Sequence, residues 1–258
     1  MNTALSIPEL LEQVIEGSKV LGDELLAVAE LVCRAWREAV LRVRWRETGV
    51  EGLLKALVPL NCVEEISWPG TLHWSLSRVP TLEDWHRFNQ VALLVHTLQL
   101  GWYLPLNDGI IGTLERTRPD PSPRILPNVR AVYAPESTGL ETLPCLLHLL
   151  PTSVKSFSVR YSQSADPSDD AAAEATATAF VAILPYRLPF LSSLILGLNC
   201  NSPELQSALE AAVGMLHELE AIEVSLMYLS TPMVRVLGEL PRLRRVKFHS
   251  ASSMDNVL

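Results

Sequence analysis

The sequence predicts an α/β protein. A short three-helix module over residues 1–47 precedes strand–helix units over residues 48–258, stacked as a right-handed horseshoe with a parallel sheet on its concave side. Three observations predict it. An apolar triplet returns along most of the chain, helix-start signals fall between its copies, and the N-terminal residues carry helical periodicity.

The triplet is an apolar residue, two variable residues, a second apolar residue, one variable residue and a third apolar residue. Its copies are Val63/Ile66/Trp68, Val95/Leu98/Leu100, Val129/Val132/Ala134, Val154/Phe157/Val159, Leu191/Leu194/Leu196, Leu219/Ile222/Val224 and Leu243/Val246/Phe248, with first positions 24 to 37 residues apart. The last two positions lie two residues apart, so on a strand both side chains share one face. The first position enters from the preceding turn. In Leu191 to Asn199 the triplet is followed by an asparagine at the ladder position of the leucine-rich consensus, where its amide serves backbone that a turn leaves unpaired. The segment from residue 48 onward thus resembles a degenerate leucine-rich-repeat array of about seven repeats. A doubly wound α/β sheet also alternates strands and helices, but it does not require the same triplet at each strand.

Between copies, Thr81 with Asp84 predicts a capped helix start, and Ser202-Pro203 and Thr231-Pro232 predict two more, each with proline at the first helical position. Asp169 to Leu184 is alanine-rich and predicts a further helix. Leu-Pro recurs ahead of the strands at 126–127, 150–151, 188–189 and 240–241, where proline stops a helix and turns the chain into extended backbone. Arg118 to Pro127 and Ser162 to Asp170 read as solvated loops. The last copy ends at Phe248 with a short polar tail and no helical pattern, so two expectations stand for its apolar edge: the tail folds back over it, or the chain is a shortened member of its group.

The N-terminal module has its own pattern. Ser6 and Pro8 start a first helix with Leu11, Val14 and Ile15 on an apolar stripe. Leu25 to Val32 forms a second helix, and Cys33 to Arg46 leads into a third. The stretches Ile7-Pro8-Glu9-Leu10-Leu11, Leu31-Val32-Cys33-Arg34-Ala35-Trp36 and Trp45-Arg46 resemble the F-box, and the whole arrangement is similar to F-box leucine-rich proteins of basidiomycete fungi. The resemblance implies that the module docks on a Skp adaptor protein and, through it, on a cullin-based ubiquitin ligase. It implies adaptor-facing or supporting roles for Ile7, Pro8, Leu10, Leu11, Leu31 and Val32, with Trp36 as the helix anchor. Two features depart from the family: the first motif is one residue short, and Glu16-Gly17-Ser18-Lys19 stands where apolar residues close the first helix. Without the family, so small a module still leaves apolar surface that must meet the repeat array, a partner or both; capping the first repeat is the alternative role.

The composition is globular, with 48% hydrophobic and 19% charged residues, and the net charge of -8 argues against a nucleic-acid binder. Four scattered cysteines (Cys33, Cys62, Cys145, Cys200) form no paired metal-ligand spacing and no disulfide framework, so neither metal nor cofactor is expected and a reducing compartment, cytoplasmic or nuclear, is. No signal peptide and no bilayer-length apolar run is present. Nucleotide loops, nucleophile elbows and zinc-protease motifs are missing too, and the chain reads as a non-enzyme with no catalytic residues.

Binding is expected on the concave face, through the variable residues around each triplet: Glu65, His96, Gln99, Tyr133, Arg160, Glu223, Arg245 and Lys247. There a target protein would meet an acidic first row and a basic last row. The basic run Arg242, Arg244, Arg245 and Lys247 lacks interleaved aromatics, which sets it apart from a nucleic-acid surface.

Overall fold

A computed structural model describes residues 8–18, 23–64, 72–101, 108–120, 124–134, 143–161, 170–198 and 202–249. The chain opens with three helices, α1 (Pro8–Ser18), α2 (Asp23–Glu30) and α3 (Arg34–Arg46). Leu11 and Ile15, one turn apart on α1, meet Leu26 of α2 and Ala39, Val40 and Val43 of α3 in a small core that is separate from the main one. Arginines of α3 tie the helices together: Arg46 bonds Glu12 and Glu16 at 2.5 and 3.2 Å, Arg42 bonds Glu12 at 3.2 Å, and Arg44 bonds Glu30 at 3.3 Å. Such half-exposed pairs contribute at most about 1 kcal/mol each, so they set the helix arrangement more than its stability.

No loop separates α3 from the first strand. Strand β1 (Glu47–Gly49) follows Arg46 directly, and helix α4 (Val50–Leu57) follows β1. Val50, Leu53, Leu54 and Leu57 recur at helical spacing and are all buried.

The next segment corrects one expectation. Val63 lies on β2 (Leu60–Glu64), which pairs antiparallel with β3 (Leu72–Leu76) as a separate two-stranded sheet; Ile66 and Trp68 lie outside the described residues. The expected triplet ends at Trp68, directly before Pro69-Gly70, a strong turn signal. Pairing two runs a few residues apart closes a short loop, which costs less entropy than carrying the first run to a distant parallel neighbour.

From there strands and helices alternate: α5 (Leu82–Ala92), β4 (Thr97–Gln99), α6 (Asp108–Thr117), β5 (Ala131–Ala134), α7 (Leu143–Leu149), β6 (Ser156–Tyr161), α8 (Asp170–Arg187), β7 (Ser193–Leu198), α9 (Pro203–Met215), β8 (Ala221–Ser225), α10 (Thr231–Glu239) and β9 (Arg245–His249). Thr81 caps α5 in a reciprocal box with Asp84, and Ser202 caps α9 with Pro203 in its first turn, as the sequence predicts. Helix α10 starts one residue early. Its cap is Ser230, whose hydroxyl accepts the Met233 amide at 3.0 Å, and Thr231 is the first helical residue.

Among the described residues the main sheet has seven strands, all parallel, in the order β1-β4-β5-β6-β7-β8-β9. Strand order follows chain order throughout, without the reversal a doubly wound sheet makes at its switch point. The middle triplet residues stack in register: Leu98, Val132, Phe157, Leu194, Ile222 and Val246 sit side by side on successive strands. Ala134, Val159, Leu196, Val224 and Phe248 form the second row. Both rows face the helices and, apart from the last rung, are buried. Phe157 meets Phe180 of α8 there, with ring centroids 5.6 Å apart.

A second ladder runs through the turns that enter the strands. The carbonyl of His96 accepts the amides of Arg130 and Ala131, that of Arg130 accepts Lys155 and Ser156, and that of Lys155 accepts Ser192 and Ser193. Ser192 and then Glu220 continue the device to Arg244 and Arg245, with all these distances between 2.7 and 3.2 Å. Every entry turn therefore satisfies its backbone against the next. The ladder starts at Arg46, whose carbonyl accepts the His96 amide at 2.9 Å. The first rung is thus Trp45/Thr48/Val50, with Trp45 packed on the main core and Thr48 aligned beside Leu98.

Candidate functional site

Two surfaces carry the residues that the sequence singles out. On the helical module, Pro8 and Leu10 are exposed at the start of α1, while Leu31 and Val32, in the turn after α2, are 85% and 60% exposed. Val14, a turn beyond Leu10, and Val28 of α2 are exposed as well. Leu11, at 1% exposure, fills the module's core, because the i, i+4 spacing to Ile15 puts it on the inward stripe, where it supports the surface and does not form it. Trp36 is half-buried against the same core, and Ile7 lies outside the described residues. The apolar stripe of α1 is therefore split, with Leu11 and Ile15 inside and Leu10 and Val14 outside. This split leaves apolar side chains in water on a module whose own core is small.

The second surface is the sheet face opposite the helices. Gln99, Tyr133, Ser158, Ile195, Glu223 and Lys247 align in register on consecutive strands, and Thr97, Ala131, Ser156, Ser193, Ala221 and Arg245 form the row before them. Gln99 and Tyr133 are exposed; the Gln99 amide donates to Glu47 on β1 at 2.5 Å. His96 is exposed at the turn into β4 and donates through Nδ1–H to the Leu94 carbonyl at 2.9 Å. The expected acidic first row is corrected: Glu64 belongs to the β2 hairpin, Glu65 lies outside the described residues, and β1 supplies Glu47 in their place.

At the other end four side chains converge. Glu223 of β8 accepts Arg160 of β6 at 3.2 Å, with Lys247 and His249 of β9 each 3.9 Å away. Arg160 reaches across β7 because Gly197 stands there: a Cβ at that position would lie 3.1 Å from Arg160 Cγ. His249 is mostly buried, and among the described residues neither ring nitrogen has a hydrogen-bond partner. Burial lowers its pKa below the ordinary histidine value, Arg160 adds to the lowering, and Glu223 opposes it. The imidazole is therefore held toward its neutral form. The sequence does not announce this cluster, because its members come from three separate strands.

Elsewhere, a cleft of about 380 Å³ opens between the β2–β3 hairpin and α6, lined by Ser75, Leu76, Arg78, Val79, Gly109, Ile110 and Thr113. Among the described residues its one ionisable group is Arg78, held in a fork by Asp84 at 2.5 and 2.8 Å. Arg78, followed by the Thr81 amide and hydroxyl and by Arg87, keeps the Asp84 carboxyl far below the usual carboxylate range. These groups brace the start of α5 rather than face the cleft as an acid–base pair. Among the described residues no group of His, Cys, Asp and Glu has metal-site geometry, and no helix is long and apolar enough to cross a membrane.

No family model matches the chain, and no curated protein matches it significantly.

Proposed function

We propose that this chain is a substrate-receptor subunit of a Skp-cullin-F-box ubiquitin ligase. The helical module holds the Skp adaptor, and the sheet, as the concave wall of a leucine-rich-repeat solenoid, holds a target protein. The observation that carries the proposal is the exposure of Leu10, Val14, Val28, Leu31 and Val32 on a module that already has a closed core of its own. Helix-in-groove docking is an ordinary way for such surface to leave water. The receptor performs no bond chemistry; it raises the effective concentration of the target's lysine near a conjugating enzyme.

A second reading, in which the helices only cap the solenoid of a protein-binding scaffold, is favoured by the direct passage of α3 into β1 and by the Arg46–His96 backbone bond. Capture of the full chain by purified Skp adaptor separates the two. The receptor reading expects capture by the parent protein and loss of it in Leu31→Asp and Val32→Asp. Both side chains are exposed, so these changes leave the fold intact. Undiminished capture in both variants, or none by the parent, would favour the scaffold.

A further inference from the structure

The turns that enter the sheet carry more than a backbone ladder. Arg130, Lys155, Arg244 and Arg245 stand at them, all four exposed, and among the described residues none has a carboxylate at ion-pairing distance. Two are held at the rim by uncharged partners: Arg130 donates to the Ser153 carbonyl at 3.2 Å, and the Lys155 ammonium stands 5.4 Å from the centre of the Phe190 ring. Neither contact cancels the charge. A chain of net charge -8 thus keeps uncompensated cations along one edge of its sheet.

From this we propose that the entry rim of β5 to β9 is the docking site for an extended, carboxylate-rich segment of a partner protein. The proposal rests on reading the sheet as the target surface and names the chemistry of that target. Charge complementarity selects the occupant. The rim's backbone amides and carbonyls are already used by the ladder, so recognition runs through side chains and not by strand addition. Successive rungs lie about 4.8 Å apart, so Arg130 and Arg244 stand about 19 Å apart, the length of roughly six extended residues. Tyr133 and Phe190, both exposed, offer apolar contact beside the cations. Glu220 interrupts the basic row between Lys155 and Arg244 and sets a gap where the bound segment gains no charge pairing.

The test is fluorescence anisotropy of the full chain with a labelled peptide of alternating Glu and Ser, its Gln counterpart, and a single-stranded oligonucleotide of equal charge. The Glu peptide is expected to bind in preference to the other two, more weakly as salt rises. Reversing two cations together, Arg130→Glu with Lys155→Glu or Arg244→Glu with Arg245→Glu, should weaken it by about tenfold or more. Arg34→Glu, on the helical module, should leave affinity unchanged. Glu220→Lys should tighten binding, and this opposite sign guards against reading a folding defect as lost contact. Equal binding of the Glu and Gln peptides, stronger binding of the oligonucleotide, or parental affinity in both double variants would overturn the proposal. Adaptor capture reads the other end of the molecule, so the two proposals fail separately.

Discussion

Gly197 on β7 leaves the space through which Arg160 on β6 crosses to Glu223 on β8, for a Cβ at Gly197 would stand 3.1 Å from Arg160 Cγ. Arg160 in turn is one cause of the lowered His249 pKa. Arg160→Gln should therefore raise that pKa, and Gly197→Ala, which crowds Arg160, should move it the same way. Histidine ring signals followed by NMR across a pH titration check both; an unchanged or lower value would contradict the arrangement.

The same histidine sets a pH dependence. Its folded pKa lies below the unfolded value of about 6.5, so in the window below that value the unfolded chain binds more protons. Stability should be full above about pH 6.5 and should decline as pH falls through the folded pKa. Thermal melts at about pH 7.5 and 5.5 are expected to differ less in His249→Gln than in the parent.

Helix caps give a contrast between neighbours. Ser202→Ala and Ser230→Ala each remove a side-chain acceptor from a helix start and should cost about 1 kcal/mol, or roughly 2–4 °C in melting temperature. Thr231→Ala should stay within about 0.5 kcal/mol, since Thr231 is the first helical residue and not the cap. Denaturant midpoints of the three variants measure the difference.

Leu194 and Val246 occupy the same inward row, two strands apart, in different surroundings. Leu194 is fully enclosed, and Leu194→Ala should destabilise by about 2–5 kcal/mol. Val246 is 39% exposed on the edge strand, where among the described residues no helix covers it. Val246→Ala should cost less than about 1 kcal/mol, because a side chain already in water leaves little cavity. Urea unfolding compares the two directly.

Much of the sheet was legible because triplet spacing is a local property. Leu98 through Val246 could be aligned by counting, and the structure stacks them in that register. The first rung was hidden. Thr48 stands where the others have an apolar residue, and Trp45-Arg46 also ends the F-box-like motif, so one stretch serves both. Val63 misled for the opposite reason: its apolar spacing fits, but the Pro69-Gly70 turn had more weight in deciding its partner. At the candidate surfaces, the polar residues of the strands do not by themselves reveal which of them pair. The convergence on Glu223 depends on Gly197 of the neighbouring strand β7, whose missing side chain lets Arg160 of β6 cross to it. Leu10 and Leu11 show the finest limit: adjacent apolar residues differ in exposure because one helical step separates outside from inside.

The uninterrupted passage from α3 into β1 gives the molecule a mechanical phase. With Arg46 bonded into the first rung and Trp45 packed on the sheet's core, twisting the helices about α3 must twist the sheet as well. One residue inserted between Arg46 and Glu47 would rotate the helical end by about 100° against the strands. Whatever grips one end therefore presents the other at a fixed bearing, in the manner of a keyed shaft instead of a tether.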